Sequence, residues 1–120
     1  MIDNSSKNSE FNDCISVKQF NYDAEGNDND NLNEEYVVLA NSCDDLIMTG
    51  WTLKDESASN KFTFATFTAP KEFTIYSGVG DNSETEIYWG RTQAVWNNNG
   101  DTLFLRDKEG NLILSDSYTV

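Results

Sequence analysis

Acidic side chains crowd one polar stretch of this chain, and four of them, Asp23, Asp28, Asp30 and Glu34, are candidate ligands. Calcium takes 6–8 oxygen ligands from carboxylates, amides and backbone carbonyls. A flexible segment with Gly26 for a sharp turn could supply several of them. The spacing is not that of an EF-hand, because the glycine and glutamate fall at the wrong places. Calcium is therefore the one cofactor the residues suggest, and none is required. The alternative is a solvated loop in which Asp and Asn only form turns.

Cys14 and Cys43 are the two cysteines, and there is no histidine. Two thiolates alone do not make a zinc site. One disulfide is open to them, in an oxidising compartment. If Ile15 and Val17 share a face with Val37 and Leu39 across a hairpin, opposed positions sum to an even number. Cys14 and Cys43 sum to an odd one, so a bond between them needs a bulge or a Cys43 lying beyond the strand end.

Catalytic residues are not found. Without histidine, neither Ser nor Cys has its usual activating base. Gly78-Val79-Gly80-Asp81 lacks the lysine and the helix of a phosphate loop. Glu34-Glu35 could do acid–base work on a glycosidic bond. Yet with 21 acidic residues against 8 basic ones some such pair is always present. The sequence reads as a non-enzyme.

The net charge of -13 bears on partners too. Nucleic-acid affinity comes largely from cations that displace phosphate counterions, and this chain would repel a polyanion. Anionic membrane surfaces are disfavoured likewise. No apolar run approaches the roughly 18 residues of a membrane-spanning helix. Cationic partners and neutral glycans remain open.

Aromatic residues are the other chemical resource. Trp51, Trp89 and Trp96 each sit beside a turn. Trp51 reads as core. Trp89 and Trp96 suit either the core or an exposed sugar-stacking platform, and the sequence leaves both open.

The elements that must position these groups are strands. No stretch repeats apolar residues with helical period. Short alternating runs recur instead at 14–20, 34–41, 51–53, 61–66, 73–77, 86–89, 102–106 and 112–118, separated by Gly, Asn and Asp. About eight short strands at this spacing predict an all-β sandwich or barrel. Val37, Leu39, Trp51, Leu53, Ile75 and Leu103 are its expected core.

The order of these features resembles the prokaryotic-type lamin-tail domain family. The segments that carry the resemblance are Tyr36-Val37-Val38-Leu39-Ala40-Asn41, Gly50-Trp51-Thr52-Leu53-Lys54-Asp55, Phe73-Thr74-Ile75-Tyr76-Ser77-Gly78, Ile87-Tyr88-Trp89-Gly90, Ala94-Val95-Trp96-Asn97-Asn98-Asn99-Gly100-Asp101 and Leu103-Phe104-Leu105-Arg106-Asp107. The resemblance, over about Ile15 to Tyr118, implies an immunoglobulin-like antiparallel β-sandwich, and the domain is expected over residues 13–120. Residues 1–12, polar and poor in apolar side chains, read as a disordered linker or tag remnant. It implies an accessory domain of a longer, secreted or cell-surface protein. Such a domain, monomeric by itself, would bind a protein or glycan partner or give structural support. A carbohydrate-binding module using surface aromatics is the second expectation. The acidic surface and the Asp/Asn-rich insert depart from the nuclear-lamin pattern, so nuclear and chromatin roles are not expected.

Overall fold

The computed structural model describes residues 14–22, 32–44, 46–57, 60–93, 95–96 and 100–119. Ten strands lie among them: β1 Ile15–Asn21, β2 Tyr36–Asn41, β3 Leu46–Ile47, β4 Thr52–Lys54, β5 Lys61–Thr63, β6 Thr68–Ala69, β7 Glu72–Tyr76, β8 Glu86–Tyr88, β9 Gly100–Arg106 and β10 Leu112–Thr119. A 3-10 turn, Leu32–Glu34, precedes β2.

Two four-stranded sheets, ordered β1-β2-β7-β8 and β10-β9-β4-β5, form the layers of a sandwich, and β3-β6 make a small ribbon beside them. Strict alternation drives the pairing of the layers. In β9 every second residue, Asp101, Leu103 and Leu105, turns inward and the others outward. β7 does the same with Phe73 and Ile75. Residues of one phase share a face of a strand, so these sets meet across the core. Val37, Leu39, Leu53, Leu103 and Leu105 are completely buried there, with Trp51 and Ile75 nearly so.

The two layers hold eight of the described strands, as expected, and β3 and β6, two residues each and too short to show alternation, add the ribbon. Two expectations need correction. The sheet is not wholly antiparallel: β7 and β8 run parallel, with Ile75 opposite Ile87 and Tyr76 opposite Tyr88. Segment 77–85 returns the chain to make this possible without a helix. The strand expected from residue 34 begins at Tyr36, since residues 32–34 form the 3-10 turn instead.

The cysteine arithmetic has a physical resolution. β1 and β2 pair with Ile15 opposite Asn41 and Val17 opposite Leu39, an even sum, and a bulge after Val17 then puts Phe20 opposite Val37. Across from Cys14 stands Ser42, whose N–H donates to the Cys14 carbonyl at 2.9 Å. Cys43 lies past the end of β2. Its N–H donates to the Asn41 side-chain oxygen at 2.9 Å, an Asx turn at the strand end. Cys14 and Cys43 are disulfide-bonded, with their Cα atoms 5.3 Å apart.

Candidate functional site

Asp23, Asp28 and Asp30 of the calcium expectation lie outside the described residues. Glu34 is exposed, and its backbone carbonyl accepts from the Asn21 amide, closing the ends of the insert. Glu35, its neighbour, is completely buried. Its Oε1 accepts from Ser77 Oγ at 2.6 Å and from Val95 N–H at 2.8 Å. One carboxyl of the pair thus faces solvent while the other clamps three segments together.

Other carboxylates are clamps as well. Asp55 accepts from Ser57 N–H at 2.9 Å and from the Asn60 amide at 2.8 Å. Burial, aided by the charge of Asp101, holds its carboxyl above the usual Asp range, and the Asn60 bond opposes the rise. Asp107 accepts from the N–H groups of Glu109 and Asn111, which fixes the β9–β10 hairpin. Aspartates that follow a strand in the sequence are therefore turn locks. Unpaired backbone donors in a buried turn cost about 1–3 kcal/mol each, which is why a carboxylate is worth burying there.

The tryptophans resolve unequally. Trp51 is 2% exposed, a core residue. Trp96 is also 2% exposed, which removes it from the candidates for a surface platform. The reason is tertiary: Val95 is anchored to Glu35, and the Trp96 ring meets Phe20 edge-on at 4.9 Å and Trp89 at 6.0 Å. Trp89 is half-buried, packed on the core and tilted against Phe62 at 5.7 Å. Phe20 in turn meets Tyr118 at 5.1 Å, so aromatic contacts run from β5 through Trp89 and Trp96 to β1 and β10.

The aromatic surface lies elsewhere. Tyr36, Tyr76 and Tyr88 stand in register on three adjacent strands, Tyr36 opposite Tyr76 and Tyr76 opposite Tyr88. Each has the outward phase beside an inward core residue, Val37, Ile75 and Ile87 respectively. Tyr36 and Tyr76 are tilted at 56° with centroids 5.7 Å apart; Tyr76 and Tyr88 stack at 4.9 Å and 16°. Val38, opposite Thr74, shares this outward phase but is buried, and Gln19 donates to the Tyr36 hydroxyl at 3.1 Å.

Loop 77–85 borders this row. A Cβ at Gly80 would fall 2.4 Å from the Tyr88 ring, so only glycine lets the backbone lie against it. The loop is held in place by Asn33, whose Oδ1 accepts from Gly78 N–H at 3.0 Å and whose amide donates to the Val79 carbonyl at 2.9 Å. Asn82 and Ser83 accept from the N–H groups of Tyr88 and Glu86. Val79 is left 67% exposed. Ser83 and Glu84 of the loop also line a groove of about 400 Å³ with Thr66, Phe67, Thr68 and Pro70. The Tyr76 hydroxyl donates to Glu86 at 3.4 Å, and burial together with that carboxylate raises its pKa, so it stays a neutral donor.

Sequence reasoning passed over these tyrosines in favour of tryptophans. The signal was available: each directly adjoins a core position in a strand, which fixes it outward.

Two packed four-stranded sheets with turn-locking carboxylates at their ends define an immunoglobulin-like β-sandwich. The sequence profile described as Lamin Tail Domain matches residues 9–120, and the chain belongs to that family. No curated protein matches it. Among the described residues no group of three or more acidic or cysteine side chains is placed to hold a metal, and no helix is long and apolar enough to cross a membrane.

Proposed function

We propose that this domain is a non-catalytic interaction module that engages its partner through the outer face of the β1-β2-β7-β8 sheet. The in-register row Tyr36–Tyr76–Tyr88 is the observation that carries this reading. Tyrosine offers large contact area at small entropic cost and a hydroxyl for orientation, and it is enriched where interfaces draw their binding energy. The row rests on strands rather than on loops, so little ordering accompanies binding. The Cys14–Cys43 bond supports a setting outside the reducing cytosol, at the cell surface or beyond it.

Carbohydrate binding is the second reading. The groove beside loop 77–85 favours it, because Phe67 lies there among the hydroxyls of Thr66, Thr68 and Ser83. Amide chemical-shift mapping with a set of peptides and a set of neutral oligosaccharides tests both. Shifts clustered on β2, β7 and β8 are the expected result. Shifts clustered at Thr66–Thr68 would favour the groove, and an unresponsive sheet would defeat the tyrosine reading.

A further inference from the structure

The second sheet shows what an outward ring does when cations are at hand. Phe104 stands on β9, and Lys54 Nζ and Arg106 Cζ lie 5.7 and 5.4 Å from its ring centroid. Those are cation–π distances. Among the described residues no cation lies over Tyr36, Tyr76 or Tyr88. Lys18, which reaches that side of the molecule, is paired with Glu72 at 2.6 Å. Carboxylates border the row instead: Glu86 on the Tyr76 hydroxyl, with exposed Asp81 and Glu84 on the adjoining loop.

We propose that the tyrosine row binds an extended basic peptide segment of a partner protein, its Lys or Arg side chains set beside the tyrosine hydroxyls and among Asp81, Glu84 and Glu86. This rests on the tyrosine row being the binding face and names what binds there. Charge complementarity favours the choice at two scales. Locally the hydroxyls and carboxylates supply the groups that a guanidinium or ammonium seeks. Globally a net charge of -13 draws cations from a distance and speeds their encounter. A neutral glycan would gain nothing from either, and an anionic partner would be repelled. The exposed Val79 adds an apolar contact for the peptide stem.

The test is fluorescence anisotropy with a labelled alternating Arg-Gly peptide, an alternating Ser-Gly peptide and a neutral β-glucan oligosaccharide. The Arg-Gly peptide should bind, and bind about tenfold more weakly at about 200 mM than at about 20 mM salt, because the Debye length shortens. Tyr36→Thr with Tyr76→Thr should weaken it by about tenfold or more. Glu84→Gln with Glu86→Gln should weaken it and flatten the salt dependence. Phe104→Thr, on the opposite sheet, should leave it within about twofold. Thr keeps strand propensity, and melting curves verify that each variant folds. No binding at the lower salt, or Arg-Gly binding indifferent to the tyrosine pair, overturns the proposal. If the oligosaccharide binds instead and is lost with the tyrosine pair, the basic-peptide assignment fails while the binding face stands. If no ligand responds to the tyrosine pair, both fail.

Discussion

The two outer faces of this sandwich treat aromatic rings in opposite ways. On the second sheet Phe104 is covered from within the chain by Lys54 and Arg106. On the first sheet three tyrosines stand together with carboxylates beside them and no cation above them among the described residues. The faces also differ in bracing. The first is stapled by Cys14–Cys43 and gripped at its far end by Asn33 and Glu35. The second is held chiefly by its ladders and by the Asp55 and Asp107 turns. A face whose rings are satisfied internally stabilises its own sheet. On the braced face the tyrosine rings pack on one another, and this is the face we propose for a partner.

The comparison breaks first if outward and inward rings matter equally to folding. Trp96→Ala should destabilise by about 3–5 kcal/mol through a large cavity, while Tyr76→Thr should cost less than about 1 kcal/mol. Urea unfolding measures both, and equal losses would mean that the tyrosine row is structural. Reducing the disulfide, which closes a sequence separation of 29, should lower stability by about 3–4 kcal/mol. Hydrogen exchange should then quicken in β1 and β2 before it does in β9 and β10. Uniform quickening would mean that the staple braces the whole sandwich.

Phe104→Leu should cost about 1 kcal/mol beyond its change in buried area, since each exposed cation–π contact is worth about 0.5–1 kcal/mol. Tyr36→Leu should show no such excess. Denaturant midpoints in low and high salt give the two numbers, and similar excesses would erase the contrast between the faces. The smallest effect concerns Asp55. Its folded-state pKa is raised above the ordinary 3.8, so the folded protein holds that proton more tightly than the unfolded chain does. Ionising Asp55 therefore costs stability as pH climbs through 3.8, and the cost is complete above the folded-state value. Asp55→Asn cannot ionise. The variant's stability relative to the parent should rise over that range and then level off; a difference that ignores pH would refute the assignment.

Much of this was legible from the chain. Alternation exposed the strands and assigned Val37, Leu39, Leu53, Ile75 and Leu103 to the core, because in a half-buried sheet the inward phase must be apolar. β3 and β6 were not legible, since two residues carry no period. Trp96 was not legible either: a ring beside a turn is inward or outward depending on where the turn is anchored, and the anchor is Glu35, distant in sequence. The tyrosine row was half legible. Each residue's outward phase follows from its own strand.

By itself the sequence determined the class of fold, the inward phase of Val37, Leu39, Ile75 and Leu103, and a strongly acidic net charge. These follow from local periodicity and composition. Tertiary structure alone decided that β8 runs parallel to β7, which sets Tyr88 beside Tyr76 instead of on another face. It decided the register that lines up Tyr36 with them, and it placed Lys54 and Arg106 over Phe104 but, among the described residues, no cation over the tyrosines. Strand order and register depend on contacts between residues far apart in the chain, and a one-residue slip would have turned any of these rings to the other side.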